Sequence, residues 1–96
     1  MIVMHEPRPC SYRGFKTVSH VFSTLTGYLG SHELLRFAYR LGLQAKWIQS
    51  KGTVDEHFDL YGEKIQAARW SGDCRVVSYD EYKALRMQKR AAVGTA

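Results

Sequence analysis

The segment Ser31-His32-Glu33-Leu34-Leu35-Arg36-Phe37-Ala38-Tyr39-Arg40-Leu41-Gly42-Leu43 decides the fold class. Leu34, Phe37, Ala38 and Leu41 recur at the spacing of one helix face. Ser31 offers an N-cap oxygen, and Glu33 places negative charge in the first turn, where the helix dipole favours it. Gly42 suits the left-handed position that ends a helix, with Leu43 folding back on the last turn. Residues 45–49, AKWIQ, then read as a strand. A helix feeding a strand is the unit of an α/β domain.

The same alternation extends outward. Upstream, Ile2-Val3-Met4 reads as a short buried strand, and Pro7 and Pro9 interrupt regular structure after it. A long segment, residues 6–30, follows, with a short extra strand or turn expected around residues 18–22. Downstream, Ser50-Lys51-Gly52-Thr53 is a turn and residues 55–59 a polar loop. A second helix starts at Asp59 or Tyr61 and runs to Trp70, with Tyr61, Ile65 and Ala68 on one face. Arg75-Val76-Val77 is a third strand. Ser78-Tyr79-Asp80-Glu81 has capping-box spacing and opens a third helix that turns Tyr82 and Leu85 inward and ends near Arg90. The expected order is β-loop-α-β-α-β-α: a small open, mostly parallel sheet of three or four strands flanked by three helices. Residues 1–92 form the single domain and residues 93–96 a frayed tail. Trp47 and Trp70 are expected to pack at the core or its edge.

Composition narrows the function classes. Ninety-six residues, 45% hydrophobic and 24% charged, fit one small globular domain. No apolar run approaches the ~20 residues of a membrane span. The N-terminal residues lack a signal-peptide pattern, which points to the cytoplasm. Cys10 and Cys74 lack CxxC spacing, so neither a disulfide framework nor a thiolate zinc site is expected. The chain has no GxGxxG, no GxxxxGK[ST] and no nucleophile elbow around Ser23 or Ser78. A net charge of +5 leans toward polyanionic partners. Lys83, Arg86, Lys89 and Arg90 on the last helix are the candidate nucleic-acid or partner surface, or else a solvated face complementing the helix dipole.

A resemblance runs through most of the chain. Glu6-Pro7-Arg8, Ser19-His20, Phe37-Ala38-Tyr39-Arg40-Leu41-Gly42-Leu43, His57-Phe58-Asp59-Leu60 and Val77-Ser78 occur in an order and spacing similar to the domain of unknown function 4031 family. These are small bacterial and phage α/β proteins with no established activity. Glu6 stands where the family has Asp, and Thr24 where an Asp is common. Residues 25–30 resemble an insertion. The resemblance implies the fold and the polar positions, and nothing about a reaction.

Those polar positions carry the candidate chemistry. Glu6, His20, His57 and Asp59 combine imidazole and carboxylate, the ligand types of a divalent metal, and three or four of them can leave a position open to water. His57, Asp59 and Glu6 are also the candidate acid–base groups. Asp59 as a helix cap and His57 bonded to a loop carbonyl are the structural alternatives. Arg8, Arg13 and Ser19 are candidate ligand-binding residues, the arginines because a guanidinium fork suits phosphate. Tyr12, Phe15 and Tyr28, interleaved with Arg8, Arg13 and Lys16, could stack bases or simply dock a loop. The expectation is therefore a polar site at the carboxyl edge of the sheet, taking a divalent metal, a phosphate or nucleotide ligand, or both, and hydrolytic in character. The alternative is a non-enzymatic module that contacts a host protein or nucleic acid through the basic helix and the Arg/aromatic loop. Exposed sheet edges also favour a homodimer.

Overall fold

The computed structural model describes residues 1–94. Its elements are β1 (Ile2–His5), β2 (Arg8–Tyr12), β3 (Phe15–Ser23), α1 (Gly27–Leu41), a 3₁₀ turn (Ala45–Trp47), β4 (Phe58–Tyr61), α2 (Glu63–Trp70), β5 (Arg75–Val77) and α3 (Tyr79–Gly94). The α/β class stands, but the sheet has five strands and is mainly antiparallel. Only β1 and β5 run parallel, while β3 pairs antiparallel with β1, β2 and β4.

The difference originates in the segment 6–30. Arg13 and Gly14 have φ of 48° and 84° between the paired residues Tyr12 and Phe15. Two consecutive positive φ values are what a type I′ hairpin turn requires. Arg-Gly is a weaker turn signal than Asn-Gly, so the hairpin is hard to read in advance. It sends the chain back as β3, nine residues long, which contains the short strand expected at 18–22. Val18 pairs with both Arg8 and Tyr61, and Val21 with both Met4 and Phe58. β1 and β2 therefore share one edge of β3, interrupted at Glu6-Pro7, and β4 takes the other. Pro9 is tolerated because β2 lies at the sheet edge.

Residues 45–49 do not form the expected strand. They form the 3₁₀ turn and a single bridge from Gln49 to His57. The expected start of α2 at Asp59 or Tyr61 instead belongs to β4. α1 begins four residues before Ser31, whose hydroxyl bonds Glu56 rather than capping the helix. Gly42 ends α1 as expected, with the Leu43 N–H bonded to the Ala38 carbonyl. Ser78 caps α3 through the Glu81 N–H, but the Glu81 carboxylate turns to Arg75. α3 continues through Val93 and Gly94, so that part of the expected tail is helical; residues 95 and 96 lie outside the described residues.

The sheet is covered on both faces. Ile2, Met4, Val21, Phe58 and Leu60 pack with Leu34, Phe37 and Ala38 of α1 and Ile65 and Ala68 of α2. Val3, Phe22 and Val77 pack with Tyr82 and Leu85 of α3 on the other face. Trp47 and Trp70 stay outside this core, Trp70 being 82% exposed. Cys10 and Cys74 are free, and burial pushes the Cys74 thiol up to about 12.

Strand alternation places Ser19 on the α1/α2 face, fully buried, and its hydroxyl has no hydrogen-bond partner among the described residues. An unpaired buried hydroxyl costs about 1–3 kcal/mol. Ser19→Ala is therefore expected to raise unfolding stability by about 1 kcal/mol in urea titration; a loss of that size would show that the hydroxyl is satisfied.

Candidate metal centre

The opposite face carries the polar cluster. His20 of β3 pairs directly across the sheet with Asp59 of β4, and the register that joins Met4 to Val21 makes His5 the next residue opposite His20. His5, His20 and Asp59 thus form one row across three strands. His57 precedes β4 but is held extended by its backbone bridge to Gln49, so it projects on the same side as Asp59, two residues on. Sequence spacing suggests a loop here. The strand makes the His57-x-Asp59 pair co-facial.

Hydrogen bonds decide where the ring protons sit. His5 Nδ1 lies 2.6 Å from the Glu6 carbonyl, which can only accept, so Nδ1 carries the proton. His5 Nε2 accepts the His20 backbone N–H at 3.0 Å. His20 Nδ1 lies 2.8 Å from that same Nε2 and must therefore donate to it. His57 Nδ1 donates to the Asp55 carbonyl at 2.8 Å. In their neutral forms His20 and His57 both present an Nε2 lone pair, and each Nε2 lies 3.3 Å from Asp59 Oδ1. Oδ1 is buried, and its contact with His57 favours the charged form of both groups.

One ligand atom from each of His20, His57 and Asp59 lies within 4.8 Å of the others. Bonds of ~2.0–2.1 Å at the tetrahedral angle set neighbouring ligand atoms ~3.3–3.4 Å apart, against ~3.0 Å for octahedral geometry. The two observed 3.3 Å separations match the tetrahedral value. His5 and the Asp55 carbonyl supply the outer contacts that orient ligating imidazoles. The three side chains are 20–36% exposed, so the cluster is partly open to solvent.

Tyr79, Tyr82 and Arg86 of α3 border the cluster. Both tyrosines meet His5 edge-on, and Arg86 donates to the Tyr82 hydroxyl and to Asp55. Burial lowers the pKa of His5 and of His20, with a push from the Arg8 charge on the first and from His5, His57 and Arg86 on the second. A hydrogen bond between the two side chains raises His57 and lowers Asp59, against the opposing effect of burial on each.

The other expected site residues lie elsewhere. Glu6 is exposed, and its side chain turns to Arg69 of α2, 2.7 Å away. It joins neither the ligands nor the acid–base groups. Ser19 is in the core, on the face away from the cluster. Arg8 shares the cluster's side but stacks on Tyr79, 3.9 Å from the ring. Arg13 sits in the hairpin turn beside Tyr12. The basic helix is not a free surface: Lys89 is buried and bonds the Ser23 carbonyl, Arg86 is mostly buried, and Arg90 pairs with Asp55. Lys83 remains outside, near Asp80 and over Tyr79. Tyr28 lies on α1, stacked on His32.

His5 and His20, with lowered pKa, subtract stability as the pH falls below their ordinary value of 6.5, since the unfolded chain then binds the protons. His57, raised, acts in the opposite sense and loses its contribution as the pH rises through its folded value. Imidazole ¹⁵N spectra of the metal-free protein should show Nδ1–H on all three rings, with His57 protonating at higher pH than His5 and His20. An Nε2–H form of neutral His20 would remove its lone pair and contradict the assignment.

No family model, curated protein or solved structure matches this chain.

Proposed function

We propose that His20, His57 and Asp59 bind a divalent metal ion, zinc by geometry, in a site that keeps an open position for hydrolytic chemistry on an anionic substrate. The observation that carries this reading is the convergence of His20 Nε2 and His57 Nε2, each 3.3 Å away, on one buried Asp59 oxygen, with the Nδ1 of each ring committed elsewhere. Two imidazoles and one carboxylate with a vacant fourth position are the donor set of a catalytic zinc site. Such an ion supplies Lewis-acid polarisation and brings the pKa of water down to ~7. The chain's own part is to hold both ligand rings in one tautomer, exclude water on the His5 side, and keep positive charge nearby at Arg86 and Arg8.

The alternative is a binding module acting through the last helix and the Arg/aromatic loop; its helix half has less support because Arg86, Lys89 and Arg90 are already engaged within the fold. The resemblance to the domain of unknown function 4031 family is compatible with either reading, since it implies no reaction.

The test is thermal unfolding of chelator-treated protein with zinc, cobalt, manganese or magnesium. A ligand at 100 times its dissociation constant adds about 2.7 kcal/mol, so zinc or cobalt should raise the transition clearly. His57→Ala should abolish that rise while remaining folded, and Glu6→Ala should retain it. A zinc response that survives His57→Ala would sink the assignment.

A further inference from the structure

A groove of about 580 Å³ runs along β4 and reaches Asp59. Its apolar wall is aromatic. Tyr12 and Phe15 both stack on Tyr61, at 4.9 and 5.4 Å between ring centroids and with planes 27° and 25° apart. Trp47 faces them from the 3₁₀ turn. Phe15 is pressed so closely on Gly62 that a Cβ there would lie 2.9 Å from its ring. Gly62 itself has a φ of +54°, so the ladder and the turn beneath it require each other.

The polar lining is mainly cationic. Arg13, Lys46 and Lys64 line the groove, and Asp59 is its single acid. Arg13 lies over the Tyr12 ring, and Lys64 is held in place by the Leu41 carbonyl at 2.8 Å. Tyr12, Phe15 and Trp47 remain 41–47% exposed, so the trough is open rather than enclosed. A mononucleotide pocket usually buries 70–90% of its ligand. Flat rings interleaved with cations along an open trough are instead the features that hold a single-stranded chain, by base stacking and phosphate attraction. An acidic peptide would satisfy the cations but leave the ring faces unused.

We propose that this groove binds single-stranded nucleic acid, stacking bases on the exposed Tyr12, Phe15 and Trp47 rings while Arg13, Lys46 and Lys64 hold phosphates. The strand is then led toward Asp59. That the groove delivers substrate to a metal rests on the reading of the metal centre; that it binds a strand does not.

The experiment is fluorescence anisotropy of a labelled single-stranded decanucleotide with the chelator-treated full chain, beside a duplex of the same sequence and an acidic peptide of equal charge. The single strand should bind tightest. Three phosphate contacts predict a slope of about −2 in log affinity against log salt, and Lys46→Ala should reduce it by about 0.7. Tyr12→Ala should weaken binding about ten-fold or more. In a Trp70→Phe background, the single strand should quench Trp47 fluorescence. His57→Ala should lose zinc uptake yet bind the strand as before. Equal affinity for duplex or peptide, or unchanged binding in both Tyr12→Ala and Lys46→Ala, overturns the groove assignment even if zinc uptake is intact. Strand binding without zinc uptake supports the groove and removes only the metal centre.

Discussion

The Nε2 lone pair of His5 receives both the backbone N–H and the Nδ1–H of His20, while its own proton is committed to the Glu6 carbonyl. His5 is fully buried, and burial disfavours its charged form. It therefore acts as a fixed acceptor that turns the outer nitrogen of His20 toward Asp59. The Asp55 carbonyl does the same for His57. Without these two contacts the neutral rings could exchange tautomers and donate an Nε2–H hydrogen bond to the carboxylate. With them, the neutral rings turn two lone pairs on one carboxylate oxygen, a cluster that a proton on His57 or a metal ion would bridge. Such an arrangement is unfavourable by itself and becomes favourable when a cation occupies it.

The surrounding charges fit that role. Arg86 bonds the carbonyl and carboxylate of Asp55, the residue that orients His57, and opposes protonation of both imidazoles. The packing of α3 and the electrostatics of the cluster are therefore coupled through one guanidinium. Lys89, one turn further on, is buried against the Ser23 carbonyl and its pKa is lowered by that burial. Much of the net positive charge is used to fasten the helix to the sheet. Arg13 and Lys46 are exposed and line the groove, beside a half-buried Lys64 that is bonded to the Leu41 carbonyl.

Some of this was legible in the chain. The periodicity of Leu34, Phe37, Ala38 and Leu41 marks α1, Gly42 marks its end, and Arg75-Val76-Val77 is strand as expected. His20, His57 and Asp59 were identifiable as metal-type donors from their chemistry. Glu6 has the same chemistry but directly follows His5, the last residue of β1, and its side chain turns away to Arg69. Choosing between them needs the strand phase. The antiparallel sheet was obscured because an Arg-Gly turn can enter left-handed φ with little sequence warning, and Pro7 and Pro9 disguise β2. The role of His5 depends on cross-strand register, and register is set by long-range pairing that local composition does not encode.

The most direct test of the central claim is anomalous scattering from crystals of the protein grown with zinc, recorded at the zinc absorption edge. The account requires a peak ~2.0–2.1 Å from His20 Nε2, His57 Nε2 and an Asp59 carboxylate oxygen, with His5 still bonded to His20 Nδ1. A zinc peak on other residues, with His20, His57 and Asp59 left empty, would contradict it.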